Sequence, residues 1–254
     1  MKAFITLLYR QIKRFMRAKS RVIGAFVNPL LWLVFFGLGW SKVFNFPMAK
    51  QIFGGSDYLS FLAPGIVSMA IFSSSFISGI SVLWDKEFGF LKEILVAPCS
   101  RKEAIMGRIV GDSLTSVLQG AIILLMTFTI AHSLKISGIP YVILLGFILA
   151  GSFVSVGVIL ALKMTSMEGF QMIMSFLMLP LLFLSGAFYP IDTMPAWMQA
   201  LSRINPLTYA VDGSRYFLLG TSKFAITTDI GILLLLTFLF AGVAVYMFER
   251  TTID

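Results

Sequence analysis

Residues 84–101 read WDKEFGFLKEILVAPCSR, a short charged segment set between two long apolar runs. Phe88, Leu91 and Leu95 recur at helical spacing with Phe90 and Ile94 beside them, while Lys86, Lys92 and Glu93 lie mainly on the other face and Glu87 intrudes on the apolar side. The spacing predicts an amphipathic helix outside the membrane, over Glu87–Val96 and closed by Pro98. Two uses fit such a helix equally from spacing alone. It rests on lipid as an interfacial helix, or it receives force from a partner, because a loop that only joins two spans needs no apolar face.

The runs on either side are the length a bilayer demands, about 20 residues each. Six spans are predicted, near Val22–Trp40, Tyr58–Trp84, Ala104–Ala131, Ile139–Leu162, Glu168–Phe188 and Asp229–Phe248, with a break in the second at Pro64-Gly65. The composition agrees: 58% of the 254 residues are hydrophobic and 13% charged, against about 25% charged in soluble domains. The expected fold class is an all-α polytopic membrane protein, a single domain over 1–254 with a cytoplasmic amphipathic helix at 1–21, a bundle over 22–248 and a tail at 249–254.

Net charge is +8, but its distribution argues against nucleic acid. Lys2, Arg10, Lys13, Arg14, Arg17, Lys19 and Arg21 crowd the first 21 residues, which hold no acid. That is the positive-inside signal, and six spans starting inside place both termini in the cytoplasm. Ile5, Leu8, Ile12 and Phe15 share one face of the basic segment, which suits a helix at the lipid surface or a platform for a cytoplasmic partner. Val22–Trp40 is too long for a signal-peptide core of about 7–15 residues, so no cleavable leader is expected. Ser100-Arg-Lys-Glu103 and Thr165-Ser-Met-Glu168 are capping-box patterns for helix starts. Residues 189–228 are too apolar for a solvated loop and too interrupted for a span; short helices over Met194–Leu201 and Leu207–Leu219, the second opened by Asn205-Pro206, are expected at the outer mouth.

The chemistry-bearing patterns are few. There is no Gly-Lys dipeptide, hence no phosphate-cradling P-loop, and neither HExxH nor GxSxG occurs. Cys99 and His132 are single, which leaves no intrachain disulfide and no converging metal donors; no catalytic residue and no cofactor are assigned to this chain. The spans are nearly free of ionisable groups, which speaks against an ion-coupled carrier. Polar residues do recur at helical spacing: Arg108, Asp112, Thr115 and Gln119; Ser74, Ser78, Ser81 and Asp85; Glu168, Gln171 and Ser175. Each stripe reads as the wall of a substrate path or as helix packing through small hydrogen-bonding residues, and Gly107-xxx-Gly111 is a weak packing motif.

The arrangement resembles the membrane subunit of ABC-2 type exporters, over essentially the whole chain. The basic helix before six spans carries part of the likeness. The segment Glu87-Phe88-Gly89-Phe90-Leu91-Lys92-Glu93-Ile94-Leu95-Val96-Ala97-Pro98 with Arg101 resembles the family's cytoplasmic signature, and DKEFGFLKEILVAP is similar to its drug-resistance branch. The run from Pro180 to Arg215, with Phe183, Ser185-Gly186, Phe188, Pro190, Pro195, Trp197, Asn205-Pro206, Tyr209, Asp212 and Arg215, carries the rest. One departure is Lys92, where many members have an acid; Glu93 follows it.

The resemblance implies that two copies, expected as a homodimer in the cell membrane, form a pathway between them. Each would bind a separate cytoplasmic ABC ATPase that supplies ATP and Mg. Glu87, Phe88, Gly89, Leu91, Lys92, Glu93, Leu95, Pro98 and Arg101 would make the coupling contact; Gly186, Pro190, Trp197, Asn205, Pro206 and Tyr209 would form the outer gate. The expected cargo is lipophilic or amphipathic, drug-like or lipid-like, moved outward. Export of a lipid-linked glycan is the alternative within the class; an ion-coupled carrier and a membrane scaffold are the alternatives outside it.

Overall fold

The computed structural model describes residues 2–17, 19–41, 43, 53–131 and 133–251, and all regular structure among them is helical. His132 lies outside the described residues. The chain opens with α1 (Lys2–Arg17) and α2 (Lys19–Trp32). Pro29 removes one donor from the α2 ladder, and a turn later the helix widens to a π-helical stretch, Leu33–Leu38, before α3 (Gly39–Ser41). Then follow α4 (Tyr58–Ser78), α5 (Ile80–Glu87), α6 (Phe90–Val96), α7 (Arg101–Ile130), α8 (Ile139–Lys163), α9 (Met167–Leu184), α10 (Ala196–Ser202), α11 (Pro206–Leu219) and α12 (Ile226–Glu249).

Among the described residues, five helical segments are long and apolar enough to cross a bilayer: Tyr58–Glu87, Arg101–Ile130, Ile136–Lys163, Met167–Leu184 and Ile226–Glu249. They match the second to sixth expected spans. The expected first span, Val22–Trp40, is helical throughout, but its apolar stretch, Val27–Gly37, is shorter than the other five.

The centre is built where α4 meets α7 and α8. Gly120 on α7 and Gly146 on α8 both make room for Ile71 of α4, and Phe72, Phe76 and Phe153 close the interface with ring centroids 4.5 to 5.8 Å apart. Across the next seam, Ser152 Oγ and Thr237 Oγ1 lie 2.6 Å apart and tie α8 to α12. Outside the span, Asp57 caps α4 by accepting from the Ser60 N–H at 3.1 Å, and accepts from Ser133 at 3.2 Å. Burial opposes the Asp57 charge, yet these hydrogen bonds outweigh it and hold the carboxyl below its ordinary range.

Three local expectations change. α4 runs through Pro64 without a break; Gly65 beside it packs directly on the Ala187 backbone, and Arg215 Nε donates to the Phe61 carbonyl. The local irregularity falls instead at Gly79, pressed against the Gly157 backbone: it keeps helical angles (φ −54°, ψ −32°) while the hydrogen bonds tighten to i−3. Second, the helix expected over Glu87–Val96 is divided: α5 ends at Glu87 and α6 starts at Phe90, with Gly89 at φ +80° making a turn that an L side chain rarely adopts. Third, the α9 cap is Ser166, which accepts from the Gly169 N–H at 3.2 Å, one residue beyond Thr165; Ser100 caps α7 as expected.

Candidate coupling junction and polar cavity

α1 does not present the face that its spacing suggested. Ile5 is exposed, while Leu7 and Gln11 are buried against α7. The contact is close because two glycines allow it: a side chain at Gly107 would meet the Phe4 backbone, and one at Gly111 would meet Leu8 and Gln11. The Gly107-xxx-Gly111 motif is therefore the seat of α1.

Arg10, one turn along α1, reaches Asp85 on α5 with a two-pronged contact at 2.8 and 3.1 Å. Arg108 of α7 meets the same carboxylate at 2.5 Å, donates to Ser81 at 2.6 Å, and lies 3.9 Å from Asp112. Arg10 also stacks 3.9 Å over the Phe90 ring of α6. One buried carboxylate thus joins α1, α5 and α7, and one of its arginines touches α6. Two arginines around two carboxylates leave the cluster neutral, which is what makes burial tolerable. Charge repeats alone did not reveal this: Asp85 ended a serine stripe, and its arginine partners sit 75 and 23 residues away.

α6 turns Leu91 and Ile94 inward and leaves Lys92, Glu93 and Val96 exposed, and in the turns that flank it Phe88 stands at 81% exposure with Glu87 and Pro98 also exposed. Phe88 and Leu91, expected on one face, are thus separated by the Gly89 turn. Lys86 donates to the Met164 carbonyl at 3.2 Å. Arg101 donates to the carbonyls of Glu249 and Thr251 at 2.9 and 3.2 Å, so it caps the end of α12.

Two of the three polar stripes converge. Ser74, Ser78 and Ser81 face Asp112, Thr115 and Gln119 across a cavity of about 220 Å³, which α1 and α2 complete with Gln11, Arg14 and Asn28. Arg108 stands beside it through Ser81. Glu168, Gln171 and Ser175 are exposed on α9 and take no part.

At the other end of the bundle the signature residues act as staples. α9 stops at Leu184, and Gly186, at φ +75°, turns the chain back. Arg215 donates to the Gly186 and Ala187 carbonyls at 2.6 and 3.0 Å and lies 3.7 Å over the Phe61 ring. Asn205 caps α11 and donates to the Leu181 carbonyl at 2.6 Å; Pro206 takes the first helical position, and the Tyr209 hydroxyl donates to the Arg203 carbonyl. Asp212 accepts from the Lys223 and Phe224 N–H groups at 2.9 and 2.7 Å, closing the turn into α12. The expected helix over Met194–Leu201 is α10, with Trp197 largely exposed. Pro190 lines an apolar cavity of about 360 Å³ with Phe36, Trp40, Phe183 and Phe188.

Apolar helices of bilayer length, a docked basic helix and a polar cavity beneath it define the chain as a membrane protein. Comparison with known proteins makes the family definite. Residues 2–219 match the ABC-2 type transporter family, and the chain belongs to it. Its relatives carry transport names. The ycf38 protein of Cyanophora paradoxa, named as a transport permease, is 30% identical over 97% of this chain and 89% of its own. The inner membrane transport permease YadH of Escherichia coli K12 is 24% identical over 88% of this chain and 86% of its own. The daunorubicin resistance ABC transporter permease protein DrrB1 of Streptomyces coeruleorubidus is 26% identical over 91% and 79%. The chain is a transport permease of this family, and the family implies an ABC ATPase partner.

Proposed function

We infer that this permease exports a lipophilic or amphipathic molecule, driven by ATP that a separate ABC ATPase binds with Mg and hydrolyses. Two copies form the pathway, both termini lie in the cytoplasm, and α2 with its π-helical extension completes six spans. The observation that carries the reading is the Asp85 junction. α5, α6, α7 and α1 meet there, so a partner that moves the exposed Phe88 turn beside α6 moves the walls of the polar cavity with it. ATP would bias a two-state bundle because the ATPase contacts differ between the states. The aromatic cavity at the opposite end supports an apolar component of the cargo. DrrB1, by its name a drug-resistance permease, supports the same class.

The test is purification of the full chain from native membranes in mild detergent, with mass analysis of its companions. A stoichiometric P-loop ATPase, lost when Glu87–Val96 is scrambled, is the expected result. A clean oligomer without ATPase, under conditions that keep weak complexes together, overturns the reading in favour of an ion-driven carrier or scaffold.

A further inference from the structure

The cavity between α1, α2, α4 and α7, about 220 Å³, is smaller than the roughly 300–1,000 Å³ of sites that enclose whole drug-sized ligands. It suits one head group. α1 is an amphipathic helix of the kind that lies at a membrane interface, and the cavity runs from beneath it to the middle of α7, where Thr115 and Gln119 lie.

Its walls differ in hydrogen-bonding sense. On the α4 and α7 side several hydroxyl protons are engaged within the helices, and Ser116 also reaches Ser74 across them at 3.2 Å. Ser78 and Ser81 donate to the Ser75 and Ser78 carbonyls at 2.6 Å, and Thr115 and Ser116 both donate to the Asp112 carbonyl, at 2.9 and 3.0 Å. A hydroxyl whose proton is taken offers lone pairs only. Ser78 and Thr115 therefore present acceptors to the cavity, beside the Asp112 carboxylate that Arg108 approaches to 3.9 Å; the Ser81 oxygen is already taken by Arg108. The α1 side donates. Arg14 brings a guanidinium to the cavity, centred 5.6 Å from the Trp84 ring. Gln11 is 3% exposed, lines the cavity, and its amide nitrogen has no hydrogen-bond partner among the described residues. Native folds seldom leave a buried donor so.

We propose that this cavity binds the head group of a zwitterionic amphiphile bearing a primary ammonium, with its anionic acceptor end against Gln11 and Arg14 and its ammonium against the Asp112–Thr115 wall. The three N–H donors of a primary ammonium match a wall of lone pairs; a quaternary ammonium has none to give. Taken as the head-group preference of the cargo, this rests on the permease reading above. Taken as a resident membrane aminophospholipid, the same chemistry stands without it.

The experiment is native mass spectrometry of the full chain in mild detergent, titrated with dioleoyl phosphatidylethanolamine, phosphatidylcholine, phosphatidylglycerol and a monoglucosyl diacylglycerol. One phosphatidylethanolamine is retained per chain, about tenfold more tightly than the other three, and Gln11→Leu and Ser78→Val each lower that retention about tenfold. Equal retention of all four, or a preference for the glucosyl lipid, overturns the proposal. So does undiminished retention in both variants. Should a variant fail to fold, a photoreactive phosphatidylethanolamine on the unaltered chain decides the matter: labelling within 69–81 and 112–119 supports the site, and labelling confined to other helices overturns it. In vesicles holding the permease with its ATPase, ATP-dependent appearance of the lipid in the opposite leaflet identifies cargo, and tight binding without movement identifies a resident lipid; both support the site. Binding needs no ATPase, so its loss leaves the copurification test untouched.

Discussion

Two buried arginines hold the two ends of this bundle, and they hold them differently. Arg108 is neutralised by carboxylates, at 2.5 Å from Asp85 and 3.9 Å from Asp112. Arg215 is satisfied by peptide carbonyls, those of Gly186, Ala187 and Phe61. Carbonyls of a turn and a helix are fixed by their own backbone. A carboxylate on a side chain shared by two arginines can exchange one partner for the other. The Arg215 end is thereby stapled, and the Asp85 end is jointed. Coupling of a partner to a cavity needs the second kind of contact.

The largest expected effect comes from Asp85→Asn, which leaves Arg10 and Arg108 facing each other without their shared counter-charge. Breaking a buried ion pair from one side costs about 3–5 kcal/mol, and the partly exposed Arg10 puts this case near the lower end. Denaturant unfolding of the detergent-solubilised protein measures the loss. Adding Arg10→Gln restores part of it, and a double variant no better than the single one breaks the idea of a shared joint.

Next comes Arg215→Lys, expected to cost about 2 kcal/mol, because a single ammonium cannot reproduce a guanidinium that reaches three carbonyls. Its signature is limited proteolysis between Tyr189 and Arg203, with ATPase association intact. If coupling fails and the outer segment stays protected, the two ends are not distinct in the way described.

A glycine pair sharpens the contrast. An added methyl at Gly65 meets the Ala187 carbonyl, and one at Gly107 meets the Phe4 carbonyl. Overpacking a closed site costs about 1–3 kcal/mol. Gly65→Ala is expected at the top of that range and Gly107→Ala near the bottom, since α1 is a peripheral helix that shifts outward, and α1 then becomes the first site of proteolysis. Equal costs would mean that α1 is as fixed as the outer turn.

The smallest effect concerns Asp57. Its folded pKa lies below the unfolded value, so its contribution is present above about pH 4 and is lost as pH falls through the folded value. Asp57→Asn flattens the acid limb of the unfolding midpoint below about pH 5 and changes little at neutral pH. An unchanged acid limb would assign it to other carboxylates.

The helices were legible because apolar runs of bilayer length leave few alternatives, and local signals such as Ser100 and Asn205-Pro206 sit at true helix starts. Two of the three polar stripes at helical spacing lie on helix faces that the fold brings together. Their meeting was not legible, since pairing depends on which helices are neighbours. The same limit hid Arg10 and Gln11: within a basic segment nothing local separates an arginine facing lipid from one that reaches Asp85. Proline is the stronger local signal, so Pro64-Gly65 draws the expectation of a break, whereas the tightening at Gly79 lies where the Gly157 backbone presses on it across the interface.

That contact has a mechanical consequence. From Gly79, α5 extends eight residues to Glu87, an arm of about 12 Å at 1.5 Å per residue. A rotation of about 10° about this pivot carries Glu87 through roughly 2 Å, while the pivot itself hardly moves. Two glycine backbones in direct contact make a fulcrum with no side chain to jam it, and the load arm ends where the exposed Phe88 begins.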